Sequence, residues 1–329
     1  MNEEPNCCCL FAPNGLKQWN YLGFRLYRIA RLPLDVSVII PAYRAESTIG
    51  RALRSVAAQT APPTEVIVVD DGSPDRTAAT AEACRAEMGG IALRVVRQQN
   101  AGAGAARNEA IRNAGSAYVA FLDADDEWLP EKLERSFDVL NGAGLDLVSH
   151  NYDAIAPDGS VARVDCAAKY REGPDPFATL YRKGFLATST LITRRDLVVS
   201  AGGFDTTLAN AQDFDLWLAI LQDRTISFEV FDDALTRYHV IEGSITAHTE
   251  RRVRCCLEIA LRFAPTLGSS KYINLWMRTL AVYLEACRAY RSRNRYVMAL
   301  TAAVRAGPAL IVMAVKAAAT TPPSRQMWL

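Results

Sequence analysis

The chain has 329 residues, of which 50% are hydrophobic and 22% are charged, and its formal net charge is +1 at pH 7. This length suits one large domain, or one domain with an appendage, and the composition is typical of a soluble globular protein. The near-neutral charge excludes a global field that would attract nucleic acid. The eight cysteines form no CxxC pair and no zinc-like array with histidine, so we expect a reduced, cytoplasmic protein.

The N-terminal region carries one periodic segment. Leu16 to Leu32 is predicted to be an amphipathic helix in which Arg25, Arg28 and Arg31 recur at three-residue spacing. Such a helix either lies on an anionic membrane surface or docks on the main domain with its arginines in water; we favour docking. The acidic start is unlike a signal peptide. No run reaches the ~20 apolar residues of a transmembrane helix, and the closest, Ala306 to Val315, is too short.

Strands and helices alternate through the first half of the chain. Apolar runs ended by turn residues predict four buried strands, at 36–40, 65–69, 93–97 and 117–122. Helical patterns lie between and after them, at 46–58, 74–87, 105–114 and 130–141. Strands that alternate with helices in this way indicate βαβ units and a mostly parallel sheet, the arrangement of an α/β fold.

The second half is less regular. A strand is predicted at 146–151, followed by an irregular stretch over 152–185 that is rich in proline and glycine. Further elements are predicted as a strand at 185–192, a helix at 213–222 and an extended segment at 228–238. From Glu250 the pattern is wholly helical, in two or three segments up to about Ala319.

Three carboxylates, Asp123, Asp125 and Asp126, follow the fourth predicted strand directly. In open α/β sheets, ligands bind beyond the carboxyl ends of the strands. Carboxylates this close repel one another unless a cation compensates, and such oxygen ligands suit Mg²⁺ or Mn²⁺ together with substrate phosphates. The alternative is an acidic loop in which Asp126 or Glu127 caps the next helix.

Two more polar segments lie at predicted strand ends, Asp70 to Ser73 and Asn100 to Arg107. An aspartate there can accept the N–H of a uracil-like base, and Arg107 can face a base or a phosphate. A capped turn and a structural ion pair are the alternatives. Two other phosphate-binding motifs are disfavoured: the chain has no GxxxxGK[ST] segment, and Gly102-Ala103-Gly104 lacks the third glycine of a dinucleotide-binding loop.

Taken in order, these blocks resemble glycosyltransferase family 2. The matching segments are VSVIIPAY at 36–43, SVAAQT at 55–60, EVIVVDDGS at 65–73, NAG at 100–102 with ARN at 106–108, FLDADDEW at 121–128, GGFD at 202–205 and QDFDLW at 212–217. The resemblance covers residues 36–246 and implies a GT-A fold with a Rossmann-like sheet, a nucleotide-sugar donor, a divalent cation and inversion at the anomeric carbon. We divide the chain into an N-terminal extension (1–35), a GT-A domain (36–248) and a helical C-terminal region (249–329).

The resemblance also implies roles for single residues. Asp125 corresponds to the main metal ligand in a DXD motif, and Asp213 to the catalytic base; the alternative role of Asp213 is to cap the helix through Trp217. The family usually has glutamate before the base, where this chain has Gln212. Residues that correspond to the nucleotide-sugar site are Pro41, Tyr43, Asp70, Asp71, Arg107 and Asp123, the last also near the metal. Residues expected to shape the sugar or acceptor pocket are Gly203, Phe204, Asp205, Gln212 and Trp217.

These features predict an inverting, metal-dependent glycosyltransferase that takes a sugar from a UDP-linked donor to the hydroxyl of a glycan or glycolipid, in cell-surface polysaccharide or glycolipid synthesis. The expected cofactor is Mg²⁺ or Mn²⁺. We expect a cytoplasmic protein, with peripheral contact at the inner face of the cell membrane left open. Two alternatives also stay open: a non-catalytic nucleotide-sugar-binding or scaffold protein on the same fold, and a nucleotidyltransferase that releases pyrophosphate. Whether His239, which replaces a family arginine, contacts the diphosphate is open as well.

Overall fold

The computed structural model describes residues 17–21, 24–28, 33–240, 248–319 and 325–329. Its β-strands are β1 (Lys17–Tyr21), β2 (Phe24–Arg28), β3 (Leu34–Ala42), β4 (Pro63–Asp70), β5 (Ala92–Arg97), β6 (Tyr118–Phe121), β7 (Glu127–Trp128), β8 (Leu147–Ile155), β9 (Val161–Val164), β10 (Ile192–Arg194) and β11 (Phe228–His239). Its α-helices are α1 (Ile49–Ala57), α2 (Thr77–Ala83), α3 (Ala103–Asn113), α4 (Lys132–Gly142), α5 (Cys166–Tyr170), α6 (Pro176–Lys183), α7 (Arg195–Ser200), α8 (Gln212–Leu221), α9 (Thr249–Phe263), α10 (Lys271–Arg291) and α11 (Tyr296–Ala319).

A nine-stranded sheet forms the centre of the fold, in the order β5-β4-β3-β6-β10-β8-β11-β7, with β9 paired to β8. The strands β5, β4, β3 and β6 are parallel, as the alternating pattern predicts. Strand β10 runs antiparallel to both of its neighbours, β6 and β8. The predicted α/β fold is therefore confirmed: β5, β4, β3 and β6 form one parallel block, and β8 and β11 form a second parallel pair.

Both faces of the sheet are covered. In β3, Ile39 packs into the apolar cluster that contains α3 and α8, whereas Val38 and Ile40 pack into the cluster on the opposite face with α1 and α4. Successive side chains of a strand point to opposite faces, so a strand covered on both sides must be apolar throughout. This explains why the first strands are visible in the sequence as unbroken apolar runs.

The helix predicted for Leu16 to Leu32 is wrong wherever the structure describes this segment. Strands β1 and β2 pair antiparallel, with Lys17 opposite Arg28 and Asn20 opposite Arg25. Aromatic residues favour extended backbone, and the segment has four of them: Trp19, Tyr21, Phe24 and Tyr27. Arg31 and the cysteines at 7–9 lie outside the described residues.

The stretch predicted as irregular, 152–185, contains the end of β8 together with β9, α5 and α6. Both helices begin at an aspartate whose side chain accepts a backbone N–H: Asp165 from Ala168 at 2.8 Å and Asp175 from Ala178 at 3.0 Å. These caps are the start signals that the density of proline and glycine obscured. The strand predicted at 185–192 is also displaced, because a 3₁₀ turn at Thr188–Thr190 precedes the short strand β10.

The C-terminal region is helical, as predicted, and consists of α9, α10 and α11. Among the described residues, α11 is the one helix long and apolar enough to cross a membrane by length and composition. The expectation that no segment reaches this length is therefore wrong. Pro308 lies inside the helix, which continues through it, although a proline there removes one backbone donor and its ring crowds the carbonyl four residues earlier.

Candidate active site

Asp71, directly after β4, organises the turn that follows β5. Its carboxylate accepts hydrogen bonds from Gln98 Nε2 at 2.7 Å and from the backbone N–H groups of Ala101 and Gly102, both at 2.8 Å. Gly102 has φ +91°, a conformation that favours glycine. Two of the predicted polar segments are thus brought together, as expected for neighbouring parallel strands. Recognition of a base by Asp71 stays a prediction.

Asp70 lies beneath the surface, in contrast to its predicted place in the nucleotide site. It is fully buried; its Oδ1 accepts the Ser73 N–H at 3.0 Å, and Arg97 Nε is 3.1 Å from its Oδ2. These partners make it a support for the turn. Pro41 is also buried, within β3, whereas Tyr43 is 46% exposed just beyond the end of that strand.

An acidic cluster of Asp123, Asp125 and Asp126 follows β6, and carboxylate oxygens of the three residues lie within 4.8 Å of one another. Asp126 is fully buried and accepts hydrogen bonds from Ser189 Oγ at 2.5 Å and from the His239 N–H at 3.2 Å. The first turn of α4 is capped by Gln59, whose Oε1 accepts the Leu133 N–H at 2.9 Å, and the side chain of the N-cap residue Glu131 makes no cap bond, so the alternative of an acidic capping loop is wrong. Asp126 belongs to the cluster, as the three neighbouring carboxylates predict, although only Asp125 and Asp123 correspond to metal-site residues in the family resemblance.

The charges of the acidic cluster are uncompensated within it. Burial and the neighbouring Asp123 raise the pKa of Asp125 to about 6. Burial and the charges of Asp123 and Asp125 raise the pKa of Asp126 well above its usual range. Like charges held this close favour either protons or a cation, and three carboxylates are the hard oxygen donors that Mg²⁺ and Mn²⁺ prefer. The residues present therefore fit a divalent cation.

Arg107 pairs with the acidic cluster, and its charge also interacts with that of Asp213. The arginine is 8% exposed, and its Nη2 lies 2.5 Å from Asp123 Oδ1. Burial lowers its pKa, but the negative charges of Asp123, Asp213 and Asp125 outweigh burial and raise it. Arg107 is therefore within electrostatic range of both the acidic cluster and the predicted base, Asp213.

Asp213 lies in the first turn of α8. Its Oδ2 accepts a hydrogen bond from Thr188 Oγ1 at 2.9 Å, and its Oδ1 accepts the N–H of Phe214 at 2.8 Å. The N-cap position is occupied by Ala211, which has φ +58°. The alternative that Asp213 is the helix cap is therefore wrong, and its carboxylate is held beside the Thr188–Thr190 turn instead.

That turn is the part of the site that sequence reasoning missed. Thr188 bonds to Asp213, while Ser189 Oγ donates to Asp126 and accepts the Asp123 N–H at 3.1 Å. The Ser189 carbonyl accepts Trp128 Nε1–H at 2.7 Å, which fixes the turn on the core. Three consecutive hydroxyl residues between apolar neighbours were the available signal, since a buried strand rarely carries such a run.

Three residues predicted for the sugar or acceptor pocket lie behind it. Phe204 and Trp217 are fully buried and pack edge-on against each other, with ring centroids 6.1 Å apart. Asp205 is 1% exposed and forms an ion pair with Arg262 at 2.9 Å. These side chains support the site from the core and do not line an open pocket, because their burial against apolar and charged partners leaves no surface for a ligand.

Gly203 and Gln212, the other two predicted pocket residues, join elements around the site. A Cβ on Gly203 would lie 2.6 Å from Asn108 Oδ1, and Asn108 holds the backbone of Phe204 through bonds of 2.7 and 2.8 Å. A Cβ on Gly104 would lie 2.6 Å from Gln212 Oε1, so the start of α3 packs directly on the residue before Asp213. Close approach of this kind is a reason for glycine at positions 203 and 104.

Comparison with known proteins identifies the family. Residues 37–198 match the family model for glycosyl transferase family 2. Glycosyltransferase AglE of Haloferax volcanii is 33% identical over 186 residues, which are 54% of this chain and 58% of that protein. The Escherichia coli protein WfgD, a UDP-Glc:alpha-D-GlcNAc-diphosphoundecaprenol beta-1,3-glucosyltransferase, is 33% identical over 129 residues, 39% of this chain and 49% of that protein. The chain therefore spans about half the length of these curated relatives.

Two solved structures share the fold. Residues 1–349 of Staphylococcus aureus TarS, in complex with UDP-GlcNAc, align with a TM-score of 0.63 and 21% identity over 83% of this chain and 81% of that one. The mannosyltransferase PcManGT of Pyrobaculum calidifontis, in complex with GDP-Man and Mn²⁺, aligns with a TM-score of 0.59 and 21% identity over 88% of each chain. At this identity the likeness establishes the GT-A fold. The sequence match over residues 37–198, carried on that fold, assigns this part of the chain to glycosyl transferase family 2.

Proposed function

We propose that the protein is an inverting glycosyltransferase that transfers a sugar from a nucleotide-sugar donor to an acceptor hydroxyl. The observation that carries this proposal is the Thr188–Thr190 turn, which hydrogen-bonds to Asp126 of the acidic cluster and to Asp213 on α8. Such a transfer needs positive charge at the leaving diphosphate and a carboxylate at the attacking hydroxyl. A carboxylate cluster and a separate carboxylate at one site suit these two requirements.

On the donor side, Asp125 and Asp123 are the proposed metal ligands, with Asp126 buried beside them. When bound, Mg²⁺ or Mn²⁺ would neutralise the charge that develops on the leaving nucleoside diphosphate. Arg107 lies against Asp123 and adds a fixed positive charge at the same edge of the sheet. The exposed ring of Tyr43 and the turn held by Asp71 are proposed to border the nucleotide.

On the acceptor side, Asp213 is the proposed base. A sugar hydroxyl is too weak an acid to attack unaided, so the base removes its proton as the oxygen bonds to the anomeric carbon. The bond from that carbon to the diphosphate breaks on the opposite face, which inverts the configuration. Thr188 donates to Asp213 Oδ2 and thereby fixes the orientation of the carboxylate.

The substrate class is proposed from the relatives. WfgD is named for a UDP-linked glucose donor and a diphosphoundecaprenol-linked acceptor, and TarS was solved with UDP-GlcNAc. We propose a UDP-linked donor and a glycan or glycolipid acceptor, in cell-surface polysaccharide or glycolipid synthesis. The proposed location is the cytoplasm with peripheral contact at the inner face of the membrane. We keep the proposed division into residues 1–35, 36–248 and 249–329.

A donor-hydrolysis assay tests the proposal. It measures the release of nucleoside diphosphate from UDP-, GDP- and dTDP-sugars, with Mn²⁺, with Mg²⁺ and with EDTA. We expect slow, metal-dependent hydrolysis of one donor class, most clearly of UDP-sugars. Asp125→Ala should abolish both donor binding and hydrolysis, whereas Asp138→Asn, at an exposed carboxylate on α4, should change neither. Donor binding without turnover in any assay would indicate a scaffold. Pyrophosphate release from a nucleoside triphosphate and a sugar phosphate would indicate a nucleotidyltransferase.

A further inference from the structure

Helices α10 and α11 pack side by side as an antiparallel hairpin. Near the turn, Cys287 Sγ lies 3.3 Å from the Ala299 carbonyl, and at the far end Lys271 Nζ lies 3.4 Å from the Ala317 carbonyl. Each helix therefore has one side against its partner and one side outside. We call the exposed side of this pair the outer face of the hairpin.

The outer face is apolar along α10. Tyr272, Trp276, Leu280 and Leu284 recur every four residues, so they lie on one side of the helix, and each is 41–48% exposed. Buried residues of the same helix, such as Leu275, point to the core. Exposed positions on the helices of a soluble domain are normally charged or polar, so a fully apolar row needs an explanation.

The same pattern continues along α11. Val297, Leu300, Val304, Ile311 and Val315 form a stripe at steps of three, four and seven residues and are 60–80% exposed. Small residues and one methionine face the opposite way and are buried, namely Ala299, Ala302 and Met313. The stripe runs nearly the whole length of α11, which contains no acidic residue.

The hairpin is also strongly basic. Residues 271–319 contain eight Lys and Arg side chains and one acidic side chain, although the whole chain has a net charge of only +1. The acidic residue, Glu285, is already paired, with Arg252 at 3.5 Å and Arg278 at 3.7 Å. Arg288 and Arg291 are exposed near the turn of the hairpin. The apolar face is thus bordered by positive charge.

We propose that the outer face of the hairpin binds the surface of an anionic lipid bilayer. Apolar side chains would enter the boundary between headgroups and acyl chains, and the arginines near the turn would meet lipid phosphates. Tyr272 and Trp276 are residue types enriched at this boundary. A second copy of the chain is disfavoured as the occupant, because pairing two such hairpins would bring their positive charges together. This surface is where the membrane contact of the proposed function would be made.

The inner side of α10 reaches the candidate active site. The Arg278 guanidinium carbon lies 4.4 Å from the ring centroid of Phe214, the residue after Asp213. Glu285, on the same helix, pairs with Arg252, whose charge interacts with Asp213. One helix therefore has the proposed lipid surface on one side and the neighbours of the proposed base on the other. This arrangement suits an acceptor whose anchor stays in the bilayer.

Co-sedimentation of the full chain with vesicles tests the proposal. We expect binding to vesicles of phosphatidylcholine with phosphatidylglycerol at low salt, weaker binding at high salt, and little binding to phosphatidylcholine alone. The double variant Trp276→Asp/Leu300→Asp should bind at least about tenfold more weakly, because two apolar side chains leave the interface. Arg288→Glu/Arg291→Glu should remove most of the salt-sensitive binding. The matched control is Val161→Asp on β9, outside the hairpin, where the native side chain is 62% exposed; it should bind like the wild type.

Wild-type binding by both double variants would overturn the proposal. A lipid-free dimer, detected by light scattering and dissociated by the Trp276→Asp/Leu300→Asp change, would also overturn it in favour of a second copy. Hydrolysis of a free nucleotide sugar in lipid-free buffer should be the same in all these variants. Failure of the proposed enzyme function would therefore appear as absent hydrolysis with vesicle binding intact, so the two failures are distinguishable.

Discussion

Asp125 and Asp213 are both partly exposed carboxylates, yet their surroundings prepare them for different chemistry. Asp125 lies among like charges, and burial together with Asp123 raises its pKa to about 6. Asp213 is held by Thr188 and lies within electrostatic range of Arg107. A carboxylate among carboxylates favours a cation, whereas one oriented by a hydroxyl and placed apart is suited to receive a proton.

Replacing Asp213 by asparagine should abolish most of the turnover and leave donor affinity unchanged. A positioned base contributes typically ~10²–10⁴-fold in rate, so we expect kcat to fall by that factor. Turnover assays and calorimetric titration of the nucleoside diphosphate measure the two quantities. The control is Asp223→Asn, an exposed carboxylate just beyond α8. Near-wild-type transfer by Asp213→Asn would contradict the role of Asp213 as the base. Asp215 on the same helix could not have replaced it, because Asp215 is fully buried.

Thr188 should affect turnover through Asp213. Thr188→Val keeps the shape of the side chain but removes the donor to Asp213 Oδ2. A hydrogen bond to a charged group is worth about 1.5–3 kcal/mol, so we expect kcat to fall by about ten- to a hundredfold. Thr188→Ser restores the hydroxyl and should restore most of the rate. Equal rates for the valine and serine variants would remove Thr188 from the mechanism.

The raised pKa of Asp125 predicts an unusual pH dependence of stability without metal. The folded state holds the Asp125 proton up to about pH 6, because its pKa is about 6, whereas the ordinary pKa of an aspartate carboxyl is 3.8. The resulting contribution to stability is present below the unfolded pKa and is lost as the pH rises through the folded pKa. In EDTA we therefore expect the Tm to fall between pH 4 and pH 7, and Asp125→Asn to reduce this fall. Added Mn²⁺ should raise the Tm more at pH 7 than at pH 5, where protons compete for the carboxylate. Asp138→Asn should keep the wild-type profile.

At the scale of elements, α4 contains a buried cation without a hydrogen bond. Lys132 is fully buried in its first turn, and none of the described residues accepts a hydrogen bond from its Nζ. The Nζ lies 4.1 Å from the ring centroid of Trp128, and the ring face favours a cation. Burial nevertheless lowers the lysine pKa well below its usual value, because the ring does not replace the hydrogen bonds of water.

Lys132→Met should therefore stabilise the protein. Methionine has a similar volume and no charge to desolvate, and a buried polar group without a hydrogen-bond partner costs about 1–3 kcal/mol, so the free energy of unfolding should rise by about that amount. Because the pKa of Lys132 is lowered in the folded state, burial of this side chain costs the protein more stability as the pH falls. The stability gained by Lys132→Met should therefore be larger at pH 6 than at pH 10. Denaturant unfolding at both pH values measures it, with Lys169→Met on α5 as the control. A loss of stability would show that the ring contact outweighs desolvation.

The elements that the sequence predicts well are those with a local signal. Strands β3, β4 and β6 are buried on both faces and are therefore apolar throughout, and the acidic loop follows β6 in the chain itself. The Thr188–Thr190 turn has a local signal in its three consecutive hydroxyl residues, but the sequence does not reveal their partners, because Asp126 and Asp213 lie far away in the chain. For the same reason, the sequence does not reveal that Phe204 and Trp217 pack behind the site, since their burial is set by elements from other parts of the chain.

At the scale of the whole molecule, the described C-terminal residues 325–329 close against the candidate active-site domain. Arg325 bonds to Asp215 on α8 and to the carbonyls of Ala201 and Gly203. The Trp328 N–H donates to the Gly202 carbonyl at 2.8 Å. The tail thus holds the Gly202–Asp205 turn. The ring of Phe204, in this turn, packs against the guanidinium of Arg107.

Arg325→Ala should destabilise this closure. Asp215 is fully buried and, among the residues that the structure describes, would keep only Arg262, at 2.5 Å, as an ionic partner. Loss of one charged partner of a buried group typically costs about 1–3 kcal/mol, so the Tm should fall clearly in thermal unfolding. Arg163→Ala, which removes an exposed ion pair with Asp153, should change the free energy of unfolding by no more than about 1 kcal/mol. Equal effects of the two variants would show that the tail contributes nothing.

A protein that lies on a bilayer through the outer face of the α10–α11 hairpin would meet a lipid-anchored acceptor by lateral diffusion in a plane. Its rate would then follow the mole fraction of acceptor in the membrane. Diluting a vesicle suspension with buffer would leave turnover of the bound protein unchanged, whereas diluting the acceptor with other lipids would slow it. Collision in two dimensions would also let weak affinity for the acceptor suffice, because the shared surface keeps the two reactants together.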